Sequence, residues 1–250
     1  MHMSIWMAWT ATTVVFLLAG MVKGVIGLGL PTVSMALLAL WMTPAQAAAL
    51  LIVPSLVTNA WQAGPRSTLA AMLRRLGGMQ VGIVVGTLGG AFVFGAPAGA
   101  WATAVLGLAL VGYAAWGLAG WRVQVPARHE AWGGPVAGAL TGLLTALTGV
   151  FVLPAVPYLQ GLGMERDELV QAMGISFTTS TLALALGLAT SGGYAGAALA
   201  GSLPMLLPAL LGMVAGTALR QRLPVATFRR CFFAGLALLG VYMAGRQLIA

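Results

Sequence analysis

The sequence predicts an all-α, polytopic membrane protein of about eight to ten transmembrane segments, built as two inverted-topology repeats with broken or short helices near the bilayer midplane. Three observations lead there. The 250 residues are 60% hydrophobic and only 6% charged, against roughly 25% charged in an ordinary soluble domain. Several uncharged stretches reach the ~18 residues that cross a bilayer as a helix. The two halves of the chain also look alike, while their basic loops fall on opposite sides. Thirty-five glycines suit close helix approach in lipid, where small residues replace a hydrophobic driving force.

Composition narrows the function classes. The net charge of +8 comes from 12 basic and 4 acidic residues, which sit mostly in short loops where the positive-inside bias accounts for them. Nucleic acid is therefore not an expected partner. A lone Cys231 excludes an internal disulfide and any CxxC motif. With only His2 and His129, no metal site and no cofactor are expected. The expected partners are a small anion and the bilayer, with a second copy of the chain as a further option.

Taken in order, Gly, Pro and charge punctuation marks segments at 5–22, 30–42, 45–63, 77–95, 98–120, 134–147, 149–161, 168–190, 200–218 and 226–248. The first has no basic residue ahead of its apolar run and reads as a retained helix rather than a cleaved leader. The second, sixth and seventh are too short to cross comfortably and read as partial or broken spans. The polar connection from Trp121 to Trp132 holds Arg122, Arg128, His129 and Glu130. It divides the chain into a first repeat at 1–121, a cytoplasmic linker at 122–132 and a second repeat at 133–250.

The organising stretch is Lys23-Gly24-Val25-Ile26-Gly27-Leu28-Gly29-Leu30-Pro31, which breaks a membrane helix. Such a break survives only where the freed backbone groups face protein or water, so it usually lines a cavity. A shift of 121 places Ser55 on Ser176, Thr58 on Thr179, and Leu28 on Gly149, beside a second irregular stretch, Thr145-Ala146-Leu147-Thr148-Gly149. A shift of 126 places Gly86 on Gly212 and Gly90 on Gly216. The ordered series predicts a duplication. In the first half the loop after the third segment is basic (Arg66, Arg74, Arg75) and Gly95–Ala98 is uncharged. In the second, Thr190–Gly196 is uncharged and the following loop carries Arg220, Arg222, Arg229 and Arg230. If Arg-rich loops stay cytoplasmic, each half crosses an odd number of times and the halves are inverted, with both termini outside.

These residues resemble a known family. The run Gly24 to Pro31, the Thr43-Pro44-Ala45-Gln46-Ala47-Ala48 entry to a Ser/Thr/Asn-bearing helix, and Gly142 to Pro154 are similar to the TauE/SafE permeases, the sulfite-exporter-type family. The similarity covers almost the whole chain. It implies a multi-pass permease of the cell inner membrane for small sulfur-containing anions such as sulfite, sulfoacetate or related organosulfonates, exported or taken up. Uptake of thiosulfate-like compounds, or an anion channel, is the alternative, and a structural or assembly role stands behind both. The stretch Gly149-Val150-Phe151-Val152-Leu153-Pro154 has fewer glycines than the family pattern, so the second break is expected to be less open than the first.

An anion leaving water needs hydrogen-bond donors or positive charge. Half-helix N-termini offer unpaired N–H groups and partial positive charge. Pro31 suits the first turn of such a helix. Gly24, Gly27 and Gly29, with Thr145, Thr148 and Gly149 opposite, are the candidate backbone walls. Ser55, Thr58 and Asn59 can share one helix face, and Ser176, Thr179 and Ser180 repeat that spacing. The bland alternatives are glycines that only pack helices and hydroxyls that bond their own backbone. Lys23 is either the fixed charge that attracts the anion or a side chain that snorkels to the interface. Gly174-Ile175-Ser176-Phe177 lacks the glycine of a serine-nucleophile turn, no phosphate-binding loop is present, and the chain does not read as an enzyme. Glu130, Glu165, Asp167 and Glu168 lie in loops or at helix ends, so no carboxylate relay is in view.

Overall fold

The computed structural model describes residues 5–97, 99–121, 123–190, 195–222 and 224–249. All regular structure among them is helical: α1 (Ile5–Ile26), α2 (Leu30–Leu38), α3 (Pro44–Gln62), α4 (Arg66–Phe94), α5 (Gly99–Ala119), α6 (Ala127–Thr148), α7 (Ala155–Gly161), α8 (Arg166–Thr190), α9 (Ala195–Arg220) and α10 (Val225–Ile249). Among the described residues, six helices contain stretches long and apolar enough to cross a membrane: Trp6–Ile26, Arg66–Phe94, Trp101–Ala119, Arg166–Thr190, Ala200–Arg220 and Val225–Arg246. The chain is a multi-pass membrane protein. At 1.5 Å per residue, α2 and α7 are only about 14 and 11 Å long, too short to cross.

Boundaries differ from the sequence reading in four informative places. α4 starts at Arg66, so Arg66, Arg74 and Arg75 occupy a helix, not a loop. Likewise Arg229 and Arg230 lie in α10. The second part of the polar connection, from Ala127, forms the first turns of α6, behind an extended Pro126 at the N-cap. α7 begins only at Ala155 because 150–154 holds no helix. Ala98, Arg122 and positions 191–194 of the uncharged loop lie outside the described residues.

Glycines set the tightest helix pairs. On α1, a side chain at Gly20 would meet the Ala209 carbonyl of α9, and one at Gly24 the backbone of Met213 and Thr217. On α9, Gly212 and Gly216 press on the backbone of Leu17 and Met21. Both numbers rise together, so α1 and α9 run parallel. α4 and α6 do the same: Gly82 and Gly86 meet Pro135 and Ala139, while Gly138 and Gly142 meet Met79 and Ile83. Two other pairs run antiparallel. α3 crosses α8 with Asn59 at Thr181 and Ala63 at Gly174. α5 lies along α10 with Gly107 at Ala244 and Gly117 at Phe233. Such contacts let backbones approach to where dispersion is strong, which is what holds helices together in lipid.

Candidate functional site

The first break forms where α1 stops. Gly27 N–H closes the last helical bond to Lys23 O (2.7 Å). Gly27 then takes φ +77° and Gly29 φ +113°, conformations that glycine adopts without a Cβ penalty. α2 restarts with Pro31 in its first turn and Val33 N–H bonded to Gly29 O (2.7 Å). The loose carbonyl of Gly27 accepts from Gln62 Nε2 of α3 (3.1 Å).

This break borders a cavity of about 1050 Å³. Its wall includes Lys23, Gly24, Gly27 and Leu28, and its rim includes Arg166, Arg220 and Arg229. Trp121 at the rim is 66% exposed and Lys23 only 5%, which places Lys23 deep and the arginines shallow. The volume far exceeds a small oxyanion, so the cavity is a vestibule with Lys23 inside it. The Lys23 amino group donates to Thr58 Oγ1 (3.1 Å) and to Asn59 Oδ1. Thr58 Oγ1 in turn donates to Pro54 O (2.7 Å), and Asn59 Nδ2 reaches Thr181 Oγ1 on α8 (3.4 Å). Lys23 does not snorkel: both oxygens it holds are buried. They are also neutral. Among the described residues the ion pair that forms is Arg75–Glu130 (2.6 Å), with half-exposed partners near α7, and Lys23 has no carboxylate beside it. Burying an ion without a counter-charge costs several kcal/mol, which makes an unpaired cation in a span a functional candidate.

The second break is built differently. α6 ends at Gly149, with φ +71° and N–H bonded to Thr145 O (2.8 Å), and Val150 N–H bonds Thr148 Oγ1 (3.1 Å). Gly149 packs on the Met35 thioether and the Ala48 methyl. Phe151 and Val152 are fully buried, and the Phe151 ring meets that of Phe177 at a tilt, with centroids 5.2 Å apart. This break is dry.

Of the residues singled out by sequence, Lys23, Gly24, Gly27 and Thr58 line the cavity, and Asn59 stands behind Lys23. Gly29 is turned against Val22, and Pro31 is buried; neither is part of the cavity wall. Thr145 and Thr148 donate to their own helix at Thr141 O and Leu144 O. Thr179 donates to Ile175 O (3.2 Å). Ser176 accepts from Gln80 Nε2 (3.1 Å). Ser55 and Ser180 hydroxyls are buried with no hydrogen-bond partner. Gly149 and these side chains do not join the Lys23 cavity.

Across nearly its full length, residues 12–243, the chain matches the family model for the sulfite exporter TauE/SafE. It belongs to the TauE/SafE family. No curated protein and no solved structure matches it. The family is one of membrane transporters, and its match places this TauE/SafE chain among the permeases. The sequence reading missed Gln62, Gln80, Tyr113 and Thr181. Gln62 was within reach, since it continues the i, i+3, i+4 face of Thr58 and Asn59 by one turn. Gln80 was an amide inside an apolar span. Thr181 sits one residue past the predicted Ser180, a rotation that only the facing helix decides. Tyr113 lines the cavity, and its buried hydroxyl has no hydrogen-bond partner; nothing in its local sequence marks it.

Proposed function

We propose that this TauE/SafE chain is an inner-membrane permease that carries a small sulfur-containing anion, sulfite or an organosulfonate such as sulfoacetate, by alternating access. The observation that carries the reading is Lys23: a buried cation without a carboxylate partner, on the wall of a cavity whose rim carries Arg166, Arg220 and Arg229 against one carboxylate, Asp167. An anion in the cavity supplies the missing counter-charge. The rim arginines raise its local concentration on the way in.

Two inverted repeats are the proposed architecture. The parallel pairs α1–α9 and α6–α4 support it, because their glycine contacts superpose when α1 is shifted by 118 (Gly20 to Gly138, Gly24 to Gly142) and α4 by 130 (Gly82 to Gly212, Gly86 to Gly216). The α4 shift is one helical turn away from the 126 that sequence spacing suggests. A two-fold axis in the membrane plane requires the equivalent helices α3 and α8, and α5 and α10, to run antiparallel. Their contacts do so. The Arg-rich rim, by the positive-inside rule, is then cytoplasmic, and the cavity is open to that side. A channel would need a path past the second break, where Phe151, Val152 and Gly149 are packed without space; that favours a carrier.

The test is uptake of radiolabelled sulfite, sulfoacetate and thiosulfate into proteoliposomes. Saturable entry of at least one, faster than into protein-free vesicles, is expected. Entry of all three no faster than into protein-free vesicles would sink the reading, and non-saturating flux would replace the carrier with a channel.

A further inference from the structure

The chain has eleven arginines and one lysine. Among the described residues the arginines sit toward the ends of helices or in the loops between them, and the single lysine is buried at the first break. The two cations are not equivalent: a guanidinium keeps its proton under all physiological conditions, whereas a lysine amine can give its proton up. We propose that Lys23 carries the coupling proton, so that one proton enters and leaves with each anion. This rests on the transport reading above and adds the coupling ion to it.

The surroundings of Lys23 fit that task. From α3 it meets only the neutral oxygens of Thr58 and Asn59. On α9 the residues lining its cavity are Met213 and Thr217, with Arg220 toward the rim. α5 contributes Tyr113, α10 contributes Arg229, and α8 contributes Arg166 and Asp167, the last exposed at the rim. The ammonium is thus paired only while an anion lies beside it. With the anion bound, the ammonium offsets one unit of its charge, leaving a neutral pair for a monoanion and a single net negative charge for a dianion such as thiosulfate or sulfoacetate. After the anion leaves, the ammonium passes its proton to cavity water, leaving a neutral amine and a hydronium ion. The empty carrier then reorients without dragging an unpaired charge through apolar surroundings, whose cost would otherwise fall on every return step. Proton and anion assist each other reciprocally, as linked ligands must. An arginine at this position would bind the anion and could not discharge.

The experiment uses proteoliposomes of the full chain with a pH dye in the lumen and the membrane potential clamped at zero. The probes are sulfoacetate and thiosulfate; sulfite is avoided because it takes up protons itself near neutrality. An inward anion gradient should acidify the lumen by about one proton per anion, and an inward proton gradient alone should drive anion accumulation against its concentration gradient. In K23R, any anion still moved should carry no proton. Anion uptake by the native protein without a dye response overturns the proposal, as does wild-type proton stoichiometry in K23R. Should K23R fail to insert, the gradient-driven accumulation in the native protein decides alone. If neither probe moves and radiolabelled sulfite does not enter either, the transport reading itself falls and this inference with it.

Discussion

The two breaks share a plan and differ in solvent. Each ends a long helix on a glycine with positive φ, Gly27 and Gly149, and each leads to a helix too short to cross. At Gly27 nothing lies within reach of an added side chain, and the residue borders the cavity. At Gly149 the same space is filled by Met35 and Ala48. The first break has Lys23 a turn before it; the second has Thr145 in the corresponding place, and its hydroxyl is bonded to its own helix. The lesson is that a glycine break creates freed backbone groups but does not decide whether water or hydrocarbon receives them. The neighbouring side chains decide that. In a carrier that alternates, one break open and its counterpart sealed is a single state of the cycle.

The comparison can be broken most sharply by chemical access. In a C231S background, L28C should react with a membrane-impermeant thiol reagent added from the Arg-rich side about 100-fold faster than V150C, because reaction at Val150 requires local opening first. Equal rates would erase the contrast. Next in size is K23Q. Removing the charged donor should weaken anion binding about 10- to 100-fold, the worth of a charge-assisted hydrogen bond, read as Kd by titration calorimetry on purified protein; an unchanged Kd would move the site elsewhere.

Alanine at the two glycines gives a smaller effect with opposite emphasis. The left-handed conformation costs about 1–2 kcal/mol for a residue with a Cβ, and only G149A adds a collision with Met35. G149A should therefore lower Tm by about 5 °C or more, with G27A losing roughly half of that. The smallest effect is T181A, which removes the 3.4 Å contact to Asn59; it should cost about 0.5–1.5 kcal/mol at most and shift Kd less than K23Q does.

Much of this was legible in the sequence. Ten segments, the glycine-proline break at Lys23 to Pro31, and the thinner second break could all be read from punctuation, because Gly and Pro act on the backbone locally. Helix ends with charged first turns were harder: Arg66 to Arg75 and Ala127 to Trp132 read as loops, yet they continue α4 and α6 beyond their apolar runs. A polar helix end beyond the apolar run carries no hydropathy signal. The site residues were legible only as far as helix periodicity reaches. Ser55, Thr58 and Asn59 could be grouped by helical spacing, but their meeting with Lys23 and the assignment of Ser176 to Gln80 and of Asn59 to Thr181 depend on how α1, α3, α4 and α8 are rotated against one another. No local pattern states that rotation.

The central claim is that a small anion occupies the Lys23 cavity beside the first break. Its most direct test is ligand protection in the same C231S background: the labelling rate of L28C, and of V150C, with and without sulfoacetate or thiosulfate. A saturating anion should slow L28C labelling at least several-fold, leave V150C unchanged, and lose its protective effect when K23Q is added. Protection at V150C in place of L28C, or protection of L28C that survives K23Q, would contradict the assignment.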